Sequence, residues 1–82
     1  MEIYTLLYKD SDGERSITGQ VSTNKFTIEK ELRNILSERA NCPYIAFCKF
    51  DVGDEICDFT NDYTILEHYE GSYGTWKKLK TI

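Results

Sequence analysis

The chain has 82 residues, is 40% hydrophobic, 29% charged and 13% aromatic, and carries a formal net charge of -4. That length gives one domain, spanning 1–82, with a modest core, and the aromatic content excludes a disordered chain. No apolar run approaches the ~20 residues of a membrane span. Three cysteines and an N-terminus without a basic, apolar leader point to reduced thiols in a cytosol.

Ile3 to Lys9 and Arg15 to Ser22 flank Asp12-Gly13, a dipeptide suited to a tight hairpin turn. A two-residue loop there sets Tyr8 opposite Ile17, Leu6 opposite Gly19 and Tyr4 opposite Val21, all on one face. Gly19 could instead mark a bulge. Thr27 then reads as an N-cap with Glu29 and Glu31 in the first turn. Ile28, Leu32, Ile35 and Leu36 form one helical stripe, and Asn41-Cys42-Pro43 stops the helix.

Tyr44 to Phe50 reads as a central strand, since apolar residues lie on both of its faces. Glu55 to Thr60 is its expected hairpin partner, with a Gly53-Asp54 loop setting Lys49 against Asp58, Phe50 against Cys57 and Cys48 against Phe59. Asn61 or Asp62 can cap a short helix, Tyr63 to Tyr69, which Gly71 closes. Tyr73 to Leu79 alternates weakly, as a last strand would. The expected class is α+β: a small antiparallel sheet, in the order ββαββ, then a short helix and a terminal strand, with one helix on a face.

Catalytic chemistry finds little footing. The only histidine is His68, and no elbow or flanking motif joins it to a nucleophile. Cys42, Cys48, Cys57 and His68 are spaced C-x5-C-x8-C-x10-H, unlike the C-x2-4-C pairs of structural zinc sites. The cysteines fit better as small hydrophobes within apolar strands. No catalytic residue, metal site or cofactor is expected.

The charge is strongly segregated. Residues 1–50 hold seven acids and seven bases; 51–70 hold seven acids and no base; the last twelve hold Lys77, Lys78 and Lys80 and no acid. Tyr63, Tyr69, Tyr73 and Trp76 lie beside the acids, and aromatic rings next to charge are the composition of binding surfaces. The expected contact residues are therefore Asp51, Asp54, Glu55, Asp58, Asp62, Tyr63, Tyr69 and Trp76. Direct nucleic-acid binding needs a basic footprint, and three terminal lysines opposed by seven acids are a poor one. A nucleic-acid or ribonucleoprotein-associated module, using sheet aromatics and those lysines, is the alternative.

A short, acidic chain with six tyrosines and no catalytic constellation is similar in character to many small phage or mobile-element proteins that bind and inhibit a host protein. Anti-CRISPR and other anti-defence proteins are among them. The likeness covers no motif. It implies a non-enzymatic binder of a cytosolic protein with a basic surface, such as a host nucleic-acid enzyme, with no membrane association.

Overall fold

The computed structural model describes residues 2–9, 15–51 and 63–80. They build five strands and one helix: β1 (Glu2–Lys9), β2 (Arg15–Ser22), α1 (Lys25–Leu36), β3 (Tyr44–Asp51), β4 (Thr64–Ser72) and β5 (Thr75–Leu79). The strands form one antiparallel sheet in the order β2-β1-β3-β4-β5. The helix packs over β1, β2 and β3. This is the expected α+β class, with differences in its second half.

Central strands β1 and β3 are buried on both faces, so apolar residues run consecutively along them. Tyr4, Leu6, Ile45, Phe47 and Tyr69 join Ile28 and Leu32 of the helix in one cluster. Leu7, Ala46, Cys48 and Phe50 form a second cluster, flanked by Tyr44, Tyr63 and Ile65. Thr5, also fully buried, donates its hydroxyl to the Gln20 carbonyl at 2.7 Å.

The β1–β2 register differs from the expected one by a residue. Tyr8 stands opposite Ser16, Leu7 opposite Ile17, Thr5 opposite Val21 and Tyr4 opposite Ser22. Lys9 pairs with Arg15, leaving the five residues 10–14 between them, where a two-residue loop would pair Lys9 with Ser16. The Asp12-Gly13 turn itself lies outside the described residues. Between Thr5 and Leu7 the register shifts, so Thr18, Gly19 and Gln20 stand against Leu6 alone. That is the bulge a strand glycine can signal. Val21 is consequently 54% exposed.

The helix begins two residues before Thr27. Asn24 is the N-cap, its side chain accepting from the Phe26 N–H at 3.0 Å, and the Ser22 hydroxyl accepts from the Asn24 N–H. Glu29 and Glu31 thus fall beyond the first turn. The expected stripe holds: Ile28 and Leu32 are buried, and Ile35 and Leu36 pack partly buried on the same cluster. The helix ends at Leu36, well short of Asn41. Ser37 caps it, its N–H reaching the Arg33 carbonyl and its hydroxyl the Asn34 carbonyl at 2.6 Å. The next stripe positions are Arg39 and Ala40, which offer little apolar surface to keep the chain helical.

The short helix expected at Tyr63 to Tyr69 is strand β4. Its pairing with β3 shifts between Phe47 and Cys48: Glu67 faces Phe47, but Ile65 faces Cys48. The irregularity sends Ile65 to the second cluster and Leu66 to the first. Lys49 and Cys48 therefore have Thr64 and Ile65 on one side and Tyr4 and Thr5 on the other, not Asp58 and Phe59. The expected strand Glu55 to Thr60 lies outside the described residues. Gly71, expected to close a helix, is a residue of β4 opposite Trp76. Tyr73 and Gly74 form the turn into β5, both with positive φ (52° and 81°).

Candidate functional site

Of the acidic block, Asp51 ends β3, and Glu67 and Glu70 lie on β4. Asp51 is exposed at one end of the sheet, opposite Glu2. The Tyr4 hydroxyl and Lys49 hold the Glu2 carboxyl below its ordinary pKa. Asp54, Glu55, Asp58 and Asp62 lie outside the described residues. Glu67 sits midway along β4 with Arg33 at 3.3 Å and Lys78 at 3.5 Å. Glu70 stands near the other end, opposite Lys77. Glu67 and Glu70 are thus neighbours of Lys78 and Lys77 across β4 and β5, where opposite charges support the pairing.

Glu67 is the centre of this arrangement. It also accepts from the Tyr69 hydroxyl at 3.0 Å, while Arg33 donates to the same hydroxyl at 3.3 Å. Arg33 so fastens the last turn of α1 to β4. Burial pushes the Glu67 carboxyl up, but Tyr69, Arg33 and Lys78 together outweigh it and hold the group below its ordinary value. Its partners add stability above the unfolded carboxyl's pKa and lose it as pH falls through the lower folded value.

The expected aromatic cluster is dispersed. Tyr63 is half-buried against Phe50, ring centroids 5.9 Å apart. Tyr69 is 7% exposed and belongs to the helix-side core. Trp76 packs partly buried on that core, its buried indole N–H without a partner among the described residues. The ring held outward is Tyr73, which is fully exposed at the β4–β5 turn.

The residues with chemical potential are spread in the same way. His68 lies beside Tyr44, the Tyr44 hydroxyl 3.0 Å from Nδ1 and the Lys80 carbonyl 2.8 Å from Nε2. A carbonyl only accepts, so Nε2 carries the hydrogen, and Nδ1 of the neutral ring accepts from Tyr44. Both ring nitrogens fasten β4 to its surroundings. The Lys9 ammonium lies 4.7 Å from the centre of the Tyr44 ring. Cys42 precedes β3 and Cys48 lies well along it, which separates them by roughly 15–20 Å at strand rise. Cys57 lies outside the described residues. Among the described residues, no three His, Cys, Asp or Glu side chains gather as a metal would require. No described helix is long and apolar enough to cross a membrane.

Cys48 is fully buried, and burial pushes its thiol up to about 12 from an ordinary 9.0. The raised folded value means full stability below pH 9. Above that the unfolded thiol ionises and the folded one does not, so stability falls towards pH 12. The limiting slope is about 1.4 kcal/mol per pH unit for one such group. Urea unfolding from pH 8 to 11 should show a shallower decline in Cys48→Ala than in the unaltered chain. Equal declines would mean Cys48 is open to solvent.

Two residues beyond the sequence-based set emerge at the Tyr73-Gly74 turn. One is Tyr73 itself. The other is Arg39, exposed in the connection after α1, with Nε, Cζ and Nη2 3.2–3.6 Å from where a Gly74 Cβ would stand. The Ala40 N–H donates to the Gly74 carbonyl at 3.0 Å, holding connection and turn together. Charge counting along the chain could not mark Arg39, because only the fold brings it to this turn. The chain matches no protein-family model, no curated protein and no solved structure.

Proposed function

We propose that this protein is a non-enzymatic cytosolic binder that modulates or inhibits a protein partner through the acidic connection between β3 and β4. The supporting observation is how the acidic block divides. Glu67 is spent on Arg33 and Lys78, and Glu70 faces Lys77. Asp51, Asp54, Glu55, Asp58 and Asp62 remain, within twelve residues that hold no base. The strands flanking this connection, β3 and β4, are adjacent, and they enter and leave it at one end of the sheet.

Such a field attracts a basic surface and speeds encounter with it. The nucleic-acid channel of an enzyme is a surface of that kind, which fits an anti-defence inhibitor acting as a decoy for the nucleic acid. The same geometry weighs against a nucleic-acid-binding module, since two of the three terminal lysines already face carboxylates on β4. Once the partner is isolated, its association rate with this protein should fall steeply with salt, because fields are screened beyond ~8 Å at physiological ionic strength. Nucleic acid should compete for the same partner surface. A salt-independent rate without competition would remove the reading.

A further inference from the structure

We propose that the Tyr73-Gly74 turn and Arg39 form a second contact site, which takes an acidic segment of a partner protein. It lies at the opposite end of the sheet from the acidic connection and does not depend on it.

The first argument is the conformation of Tyr73. A two-residue hairpin turn with both φ values positive favours Asn or Gly at its first position. For a bulky side chain a positive φ is an outlier that costs of order 1 kcal/mol or more. Tyr73 takes it at φ 52°, and its ring gains no core contact in return, being fully exposed. The turn itself is firmly held. Ser72 pairs with Thr75, the Thr75 hydroxyl donates to the Ser72 carbonyl at 2.7 Å, and Gly74 receives the Ala40 N–H. A strained, rigid presentation of an unburied aromatic ring suits an anchor for a partner.

The second argument is the neighbouring charge. Nε and Nη2 of Arg39 stand 3.2 and 3.3 Å from the Gly74 Cβ position and Cζ 3.6 Å, so the Nε–Nη2 side of the guanidinium lies over the glycine. A side chain at residue 74 would intrude there, quite apart from its positive φ. Arg39 has no hydrogen-bond or ion-pair partner among the described residues. A guanidinium seated by that side keeps its outer Nη1–Nη2 end for a planar anion, a bidentate geometry that favours carboxylates. Aromatic anchor and guanidinium together fit an apolar residue flanked by Asp or Glu.

The test is amide NMR of the full chain, titrated with a short capped peptide alternating Glu and Leu and with its Lys–Leu counterpart. The acidic peptide should shift Ala40, Tyr73 and Gly74, and the basic one should not. Tyr73→Asn should weaken binding about tenfold or more while leaving thermal stability equal or higher, because Asn suits the turn. Arg39→Gln should weaken it by a similar factor. Unchanged binding in Tyr73→Asn would overturn the proposal, as would equal shifts from both peptides or shifts confined to residues 77–80. Concentration-dependent shifts at the turn without peptide would also overturn it, by assigning the site to a second copy of the chain.

Discussion

Leu32→Ala should lower the free energy of unfolding by about 2–4 kcal/mol, the range for truncating a buried leucine. Leu32 is wholly buried and packs in the cluster with Tyr4, Leu6, Ile45 and Phe47. The helix lies over β1, β2 and β3, and its two fully buried side chains are Ile28 and Leu32. A cavity at Leu32 sits between helix and sheet, where neither layer can collapse without losing its other contacts. A domain of this size has a stability of roughly 5–15 kcal/mol, so the loss is a sizeable share of the whole. Urea unfolding monitored by far-ultraviolet circular dichroism would measure it. A loss below about 1 kcal/mol would place Leu32 at the surface.

Gly71→Ala should cost about 1–3 kcal/mol, as forced overpacking does. A Cβ at residue 71 would fall inside the contact radius of the Cys42 carbonyl oxygen and 3.0 Å from the Ala40 Cβ. The backbone cannot simply recede, because the Gly71 N–H donates to the Pro43 carbonyl at 3.0 Å. The connection 40–43 would have to lift off β4, and the Ala40–Gly74 hydrogen bond with it. Amide hydrogen exchange at residues 40 and 71 should therefore accelerate beyond the global loss of stability. Unchanged exchange at both would show that the connection does not rest on this glycine. The same variant should loosen the seat of Arg39, which Gly74 shares.

What the chain reveals of itself depends on local regularity. The stripe Ile28, Leu32, Ile35, Leu36 repeats at helical spacing and specifies α1, although the ends of the helix were set by Asn24 and Ser37 instead of Thr27 and Asn41. Apolar residues on both faces of Tyr44 to Phe50 announce a central strand, and β3 is one. β4 was hidden by its bulge. Ile65, Leu66 and Tyr69 are spaced i, i+1, i+4, which reads as a helix, because the irregularity opposite Phe47 and Cys48 breaks the period of two. The β1–β2 register was misplaced for a similar reason, since the bulge around Gly19 and the length of 10–14 are not fixed by alternation.

The charge blocks were legible as composition but not as surface. Nothing local says that Lys77 will face Glu70 or that Lys78 will meet Glu67; pairing of β5 with β4 decides it. For Tyr69 and Trp76 the sequence leaves surface and core equally open; they sit on the helix-side core, because odd-numbered β4 residues near them face α1 and Trp76 shares that face through Gly71. Tyr73 was obscured by its own identity, since a turn rule that expects Asn or Gly passes over a tyrosine.

The reading of function rests on the acidic connection between β3 and β4, and charge reversal tests it at constant net charge. Asp54, Asp58 and Asp62 changed together to Lys should be compared with Glu14, Glu31 and Glu38 changed together to Lys, by association rate with the isolated partner at low salt. The first set should slow association about tenfold or more and the second by about twofold or less, since steering depends on where the charge lies. Equal rates for the two sets would contradict the account and leave the acidic connection without a part in binding.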